Sequence, residues 1–214
     1  MVVAGDTQVV ERGKGDGNFI PTTGIGVVPE GVDIRADRAA PGDAVLINGT
    51  LGNHGIAVLA NRESLGFETD ILSDSAALNG LVADMVAAVP DLHVLRDATR
   101  GGFATVLNEI ALQSGVGIHI QEEAIPVSAA VHGACELLGL DPLYVANEGK
   151  LVAFCAAKDA KALLATMRAH PLGQHAAIVG HCTDDPHHFV QMQTRFGGNR
   201  IIDWLAGEQL PRIC

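Results

Sequence analysis

Aromatic side chains are scarce in this sequence. Phe, Trp and Tyr make up 4% of 214 residues, although hydrophobic residues reach 48%, so a core has to be assembled mainly from Ala, Val, Leu and Ile. Basic residues are short as well: 14 Lys and Arg against 25 Asp and Glu leave a formal charge of −11. Binding to nucleic acid or to an anionic membrane surface needs clustered Lys and Arg that neutralise phosphates. No such block occurs, and no nucleic acid and no membrane are expected as partners. Long apolar runs are missing too. Leu81-Val82-Ala83-Asp84-Met85-Val86 is interrupted by charge far short of the ~18–20 residues of a membrane helix, and no basic lead precedes an apolar segment at the start, as a signal peptide would require. Cysteine is sparse: Cys135, Cys155, Cys182 and Cys214 do not form the dense framework of a secreted scaffold. Reduced thiols and a cytoplasmic location are expected.

What is present is glycine, 25 residues of it, which implies many tight backbone positions, and enough chain for one large domain or two small ones. Met1-Val2-Val3-Ala4 reads as a strand without a polar lead, followed at once by a Gly5-Asp6-Thr7 turn, as in a chain that begins inside a larger protein. Strand patterns follow at 19–28, 44–49, 93–95, 117–121, 150–156, 177–180 and 189–193. Helical periodicity falls at 55–65, 78–89, 102–113, 128–138 and 159–170. Pro90, Gly115 and Gly139 provide stops, Thr183-Asp184-Asp185-Pro186 reads as a hairpin loop, and the segment after 193 reads as irregular. Strands and helices alternate without a strict βαβ rhythm. The fold class is therefore α+β, a mixed sheet with helices packed on one face.

Chemistry concentrates in four places. Arg96-Asp97-Ala98-Thr99-Arg100-Gly101-Gly102 runs from a strand into a helix. Helix N-terminal N–H groups, two glycines and Arg100 are suited to a phosphate, and a plain glycine turn capped by Asp97 or Thr99 fits equally. Ala146-Asn147-Glu148-Gly149-Lys150 leads into an apolar strand. There Glu148 is a candidate general base whose protonation would respond to burial and neighbours, and a solvated turn is the competing reading. His170, His175, His181, Cys182, His187 and His188 are metal-ligating types, but their spacing matches no ligand framework, and solvated loop histidines account for them. His54, His93, His119 and His132 are too scattered to assign. Finally, the tail Gly207 to Cys214 follows the last apolar patch at Trp204-Leu205, and the run of about ten residues from there to Cys214 spans up to roughly 35 Å when extended, about twice the ~17 Å radius of gyration of a chain this size. It could carry its terminal thiol to a site on another domain or subunit. An exposed thiol is only a few per cent thiolate at neutral pH, so that other site has to activate it.

Together, Gly5-Asp6-Thr7-x-Val9-Val10, Gly49-Thr50-Leu51-Gly52-Asn53-His54-Gly55, Arg96 to Gly102, Ala146 to Leu151 and the final Pro211-Arg212-Ile213-Cys214 resemble the HypE family of hydrogenase maturation carbamoyl dehydratases. The resemblance runs from residue 5 to 214. It implies a PurM-like C-terminal domain over 29–206, a strand remnant of an N-terminal ATP-binding domain over 1–28, and a flexible tail over 207–214. It also implies that a carbamoyltransferase, HypF, loads a carbamoyl group on Cys214. ATP then drives dehydration to a thiocyanate, and the cyano group passes to a HypC–HypD iron scaffold for nickel–iron hydrogenase. By motif position Glu148 is the base, with Gln8 beside the carboxamide. Asp6 and Thr7 belong with ATP, and Asp6 with Mg²⁺, whose preference is for hard oxygen ligands. Asp97, Thr99, Arg100, Gly101 and Gly102 are the further phosphate candidates.

The family commonly has lysine where this chain has Gln8. A neutral amide at that position orients the group, or Lys14 or Lys150 supplies the charge instead. The resemblance further implies a homodimer for the full-length form, and negligible ATPase activity for these 214 residues alone. The alternatives of another class are a non-catalytic docking module that presents the tail and a His/Cys metal-binding protein.

Overall fold

The computed structural model describes residues 25–62 and 70–205. The chain divides after Glu30. Of the strand expected over 19–28, residues 25–28 form none: no ladder reaches them, and Ile25, Val27 and Val28 are exposed. The rest of that expected strand, and the expected strand at residues 1–4, lie outside the described residues.

From Gly31 onward seven strands form one sheet: β1 (Ala44–Ile47), β2 (Val94–Asp97), β3 (Gly117–Gln121), β4 (Leu151–Cys155), β5 (Ala177–Thr183), β6 (Val190–Gln193) and β7 (Asn199–Ile201). Their order is β2-β4-β1-β5-β3-β6-β7. Every pairing is antiparallel except β3 with β6, so the sheet is mixed. Five helices accompany it: α1 (Asn53–Arg62), α2 (Asn79–Ala88), α3 (Gly102–Ser114), α4 (Ala129–Leu138) and α5 (Ala160–Ala169). The α+β class is what the alternating patterns imply.

The helical cover is fuller than the expected single face. Successive side chains of a strand point to opposite sides, and β1 and β4 are buried along their whole length. Val45, Ile47, Val152 and Phe154 pack with α3 in the larger core, while Ala44, Leu46, Ala153 and Cys155 pack with α2 and α5 in a second one. A third cluster joins α1 and α4 through Ile56, Val131, Cys135 and Val145. With few aromatic residues, the largest buried side chains are Phe103 and Phe154, and the rest are mainly Leu, Ile and Met. Termini follow local rules: Ser128 accepts the Val131 N–H at the start of α4, and Gly139 closes that helix at φ 66°, where a left-handed residue is best met by glycine.

Two expectations change. The 183–186 segment is not a hairpin loop, because β5 and β6 do not pair with each other. Both flank β3, β5 antiparallel and β6 parallel, so the connection crosses over the start of β3. The crossing is close: a Cβ on Gly117 would meet Thr183 Oγ1 at 2.5 Å and Asp185 Cβ at 2.6 Å. The segment after 193 is not irregular throughout, since Gly197 at φ 85° turns the chain so that β7 pairs with β6.

Candidate functional site

Three of the sequence motifs meet at one end of β1, β2 and β4, and two buried asparagines join them. Asn147, at the end of the turn before β4, has no solvent exposure. Its Oδ1 accepts the Gly52 N–H at 2.8 Å, and its Nδ2 donates to the Ala98 and Val145 carbonyls at 2.9 and 3.1 Å. Asn48, just past β1, accepts the Leu151 N–H at 2.8 Å and donates to the carbonyls of Gly149 and Leu172 at 3.1 and 3.0 Å. Buried polar side chains satisfied in this way fix backbone segments to one another. The 49–55, 97–102 and 146–150 segments are thereby held in register, with Ala98 also bonded by backbone to Lys150 and Asn147.

The 146–150 segment is not the solvated turn that its composition allows. Gly149 is buried, and a Cβ there would collide with the Asp74 carbonyl. Lys150 Nζ lies 2.8 Å from Asp74 Oδ2, with both side chains about nine-tenths buried. Buried charges are tolerated when paired, and this pair anchors the 70–78 segment over the site, where Asp74 Oδ1 also accepts the Glu148 N–H at 3.2 Å. The Glu148 side chain itself is 29% exposed, reachable from solvent and set among these fixed groups. His54, in the first turn of α1, aims Nε2 at Glu148 Oε1 from 4.0 Å, while its Nδ1 lies 2.8 Å from Ser73 Oγ. A cavity of about 320 Å³ opens beside the Lys150–Asp74 pair, lined by Thr50, Ser73, Gln174 and His175 among others.

The 96–102 motif is the second half of the site. Asp97, the last residue of β2, sits opposite Leu151 of β4. Its carboxylate pairs with the Arg96 guanidinium and accepts the Thr99 hydroxyl at 2.7 Å. Partial burial pushes the Asp97 carboxyl upward, but the Thr99 hydroxyl and the Arg96 charge outweigh it and hold the group below the usual carboxylate range. Arg100 is exposed at the turn. Neither Asp97 nor Thr99 caps α3; the cap position is Gly101 at φ 73°, with no side-chain capping bond. Gly102, at φ 64°, is buried against the chain that precedes Asn147: a Cβ would lie 2.6 Å from the Leu143 carbonyl oxygen and 2.7 Å from that of Val145. Gly102 is thus required by the close passage of 143–145 under the turn, and Gly101 by its positive φ and by the Thr105 side chain, whose Oγ1 a Cβ would meet.

Asp6, Thr7, Gln8, Lys14 and Cys214 lie outside the described residues. The histidine-rich stretch does not converge. His181 and Cys182 are successive on β5 and face opposite ways: Cys182 is buried in the larger core, where burial and then Asp43 push its thiol up to about 12, while His181 is exposed beside His119, ring centroids 5.5 Å apart. Among the described residues no group of three or more His, Cys, Asp or Glu gathers to hold a metal ion. Also among them, no helix is long and apolar enough to cross a membrane. Sequence reading missed His54, Ser73, Asp74 and Asn48. His54 stood inside a quoted motif, and Asn48 is a lone polar residue ending an apolar strand, a signal that was there to use. Nothing local marks Ser73 or Asp74.

A mixed seven-stranded sheet with helices on both faces and motif loops gathered at one end defines the class. Residues 40–193 match the AIR synthase related protein, C-terminal domain, and the chain belongs to that family; the PurM-like fold is as expected. Within this class the HypE resemblance read from the motifs holds over the whole length. The carbamoyl dehydratase HypE of Cupriavidus necator is 66% identical over 213 residues, covering 100% of this chain and 61% of that protein. The crystal structure of the hydrogenase maturation protein HypE in complex with ATP superposes with a TM-score of 0.80 at 49% identity, over 85% of this chain and 55% of the other. A crystal structure of a HypE–HypF complex gives 0.79 at 45% identity, over 82% and 57%. The chain spans about three-fifths of the length of the curated relatives it matches.

Proposed function

We propose that this chain serves ATP-dependent carbamoyl dehydration in hydrogenase maturation, with the Cys214 thiol as carrier and Glu148 as base. The observation that carries the reading is the setting of Glu148: a part-exposed carboxylate on a segment fixed by Asn147 and by the buried Lys150–Asp74 pair, in one of the motifs by which the sequence resembles the HypE family.

The overall change is loss of water from an S-carbamoyl group to give a thiocyanate. Oxide is a poor leaving group, and ATP supplies the phosphoryl group that converts the carboxamide oxygen into a good one. Two protons must leave the nitrogen, and a carboxylate within reach removes them. Glu148 does this in the proposed mechanism. Lys150, neutralised by Asp74, holds the base segment in place, so the charge that the family lysine would bring is not taken from Lys150. Gln8 in this reading orients the carboxamide through hydrogen bonds.

The donor set at the 97–102 turn suits a magnesium nucleotide in kind. Asp97 is exposed and held ionised, offering hard oxygen of the type Mg²⁺ prefers, and the Arg100 guanidinium is suited to phosphate. Asp97, Thr99 and Arg100 would hold that group, and Gly101 and Gly102 shape the turn; Asp6 and Thr7, which the resemblance assigns to ATP, lie outside the described residues. A HypE structure holds ATP and another is a complex with HypF; by analogy HypF is the proposed carbamoyl donor. A HypC–HypD scaffold is the proposed acceptor of the cyano group, a homodimer the proposed full-length assembly and the cytoplasm the proposed location.

The test is intact-mass analysis after exposure to the carbamoyltransferase, carbamoyl phosphate and ATP, beside Cys214→Ala. A carbamoyl adduct is expected on the unaltered chain alone. An adduct that persists in Cys214→Ala refutes the carrier assignment.

A further inference from the structure

His54 Nε2 faces the Glu148 carboxylate from 4.0 Å, and its surroundings favour one tautomer. Ser73 Oγ already accepts the Ser75 N–H at 3.2 Å. The hydroxyl keeps a second lone pair and its proton; because a carboxylate oxygen faces His54 Nε2, the favourable arrangement has the Ser73 hydroxyl donate to His54 Nδ1, 2.8 Å away. A neutral imidazole that accepts at Nδ1 carries its proton at Nε2. That Nε2 is buried and has no hydrogen-bond partner among the described residues, and a buried donor left unpaired is costly. The acceptor it faces is Glu148 Oε1 at 4.0 Å, about 1 Å beyond hydrogen-bond length.

Among the described residues, the charged side chains tied to this segment are Asp74, which accepts the Glu148 N–H, and Lys150. They are matched to each other at 2.8 Å, which leaves the His54 N–H as the donor for the Glu148 carboxylate. The backbone supports the arrangement from both sides: Gly55 N–H donates to the Ala146 carbonyl at 3.0 Å, tying the start of α1 to the Glu148 segment. A Cβ on Gly55 would lie 2.5 Å from Val145 Cγ1, so glycine permits the approach.

We infer that His54 is a positioning residue for Glu148: oriented by Ser73, it presents Nε2–H to the carboxylate oxygen that it faces and holds the base aimed. This rests on the proposed role of Glu148, and its test separates the two. In the 214-residue chain labelled with ¹⁵N-histidine, His54 is expected as the Nε2–H tautomer, with a signal that moves in Glu148→Gln. In Ser73→Ala the preference for that tautomer is expected to weaken. The Nδ1–H tautomer, or a signal indifferent to Glu148→Gln, overturns the inference whatever the activity.

In the dehydration assay on carbamoylated full-length protein, His54→Leu is expected to slow the step about tenfold, the worth of one charge-assisted hydrogen bond. The ATP KM should be unchanged. His54→Gln, whose amide retains a donor, is expected to recover most of the rate. Equal loss in both variants, with thermal melting unchanged, overturns the positioning role. Absence of dehydration in the unaltered protein counts against the proposed function and leaves the tautomer result standing.

Discussion

Asn147 binds three separate stretches of chain with one side chain: Gly52, Ala98 and Val145 each contribute a partner. Truncation strands several buried backbone groups at once, at ~1–3 kcal/mol for each unsatisfied group. Asn147→Ala is therefore expected to lose about 3 kcal/mol in urea denaturation, and Asn147→Asp at least as much, because a buried carboxylate that faces the Ala98 and Val145 carbonyls is costlier still. Both variants should be less stable than the unaltered chain. This residue shows how far sequence reading reaches. Glu148 was singled out by its place in a polar cluster before an apolar strand, and the choice between base and solvated turn could not be made there. It depends on Asp74, some seventy positions away, which removes the turn from solvent through Lys150 and the Glu148 N–H.

Helices and central strands were legible because local pattern and burial agree. The stops at Gly115 and Gly139 adopt the left-handed conformation that glycine favours, and β1 and β4 are continuous apolar runs because both of their faces are covered. Order within the sheet was not legible. The 183–186 segment has the composition of a hairpin turn, yet its flanking strands take positions on either side of β3, a consequence of long-range pairing. The turn into α3 is a similar case. Its two glycines read as a phosphate loop, and packing demands them independently of any ligand. Gly102→Ala forces a side chain to φ 64° and into the Leu143 and Val145 carbonyls. It should destabilise the fold by more than ~1 kcal/mol through backbone strain alone. Ser128→Ala, which removes only the cap of α4, should cost ~1 kcal/mol. Thermal or urea unfolding of the two variants side by side checks the order, and an equal cost would argue against the close passage at Gly102.

Across the whole molecule the cysteines divide by environment. Cys135, Cys155 and Cys182 are buried, and burial, followed by nearby carboxylates, raises their thiols to about 11, 12 and 12 from 9.0. Since the folded values lie above the unfolded one, the three thiols leave stability intact below pH 9 and withdraw it as pH rises toward 12, where the unfolded chain ionises first. Denaturation midpoints should fall over that window, and less steeply in Cys182→Ala; an unchanged slope would contradict the assignment. At neutral pH these thiols should also resist alkylation, leaving Cys214 as the proposed reactive one. The composition that first counted four equivalent reduced cysteines thus resolves into three core residues and one carrier in the proposed mechanism. The central claim is that Glu148 deprotonates a carbamoyl group carried by Cys214. The most direct measurement is the intact mass of Glu148→Gln in the full-length form, beside the unaltered protein, after carbamoylation and addition of ATP: the account predicts loss of one water in the unaltered protein and an adduct that stays at the carbamoyl stage in Glu148→Gln, and a variant adduct that still loses one water would contradict it.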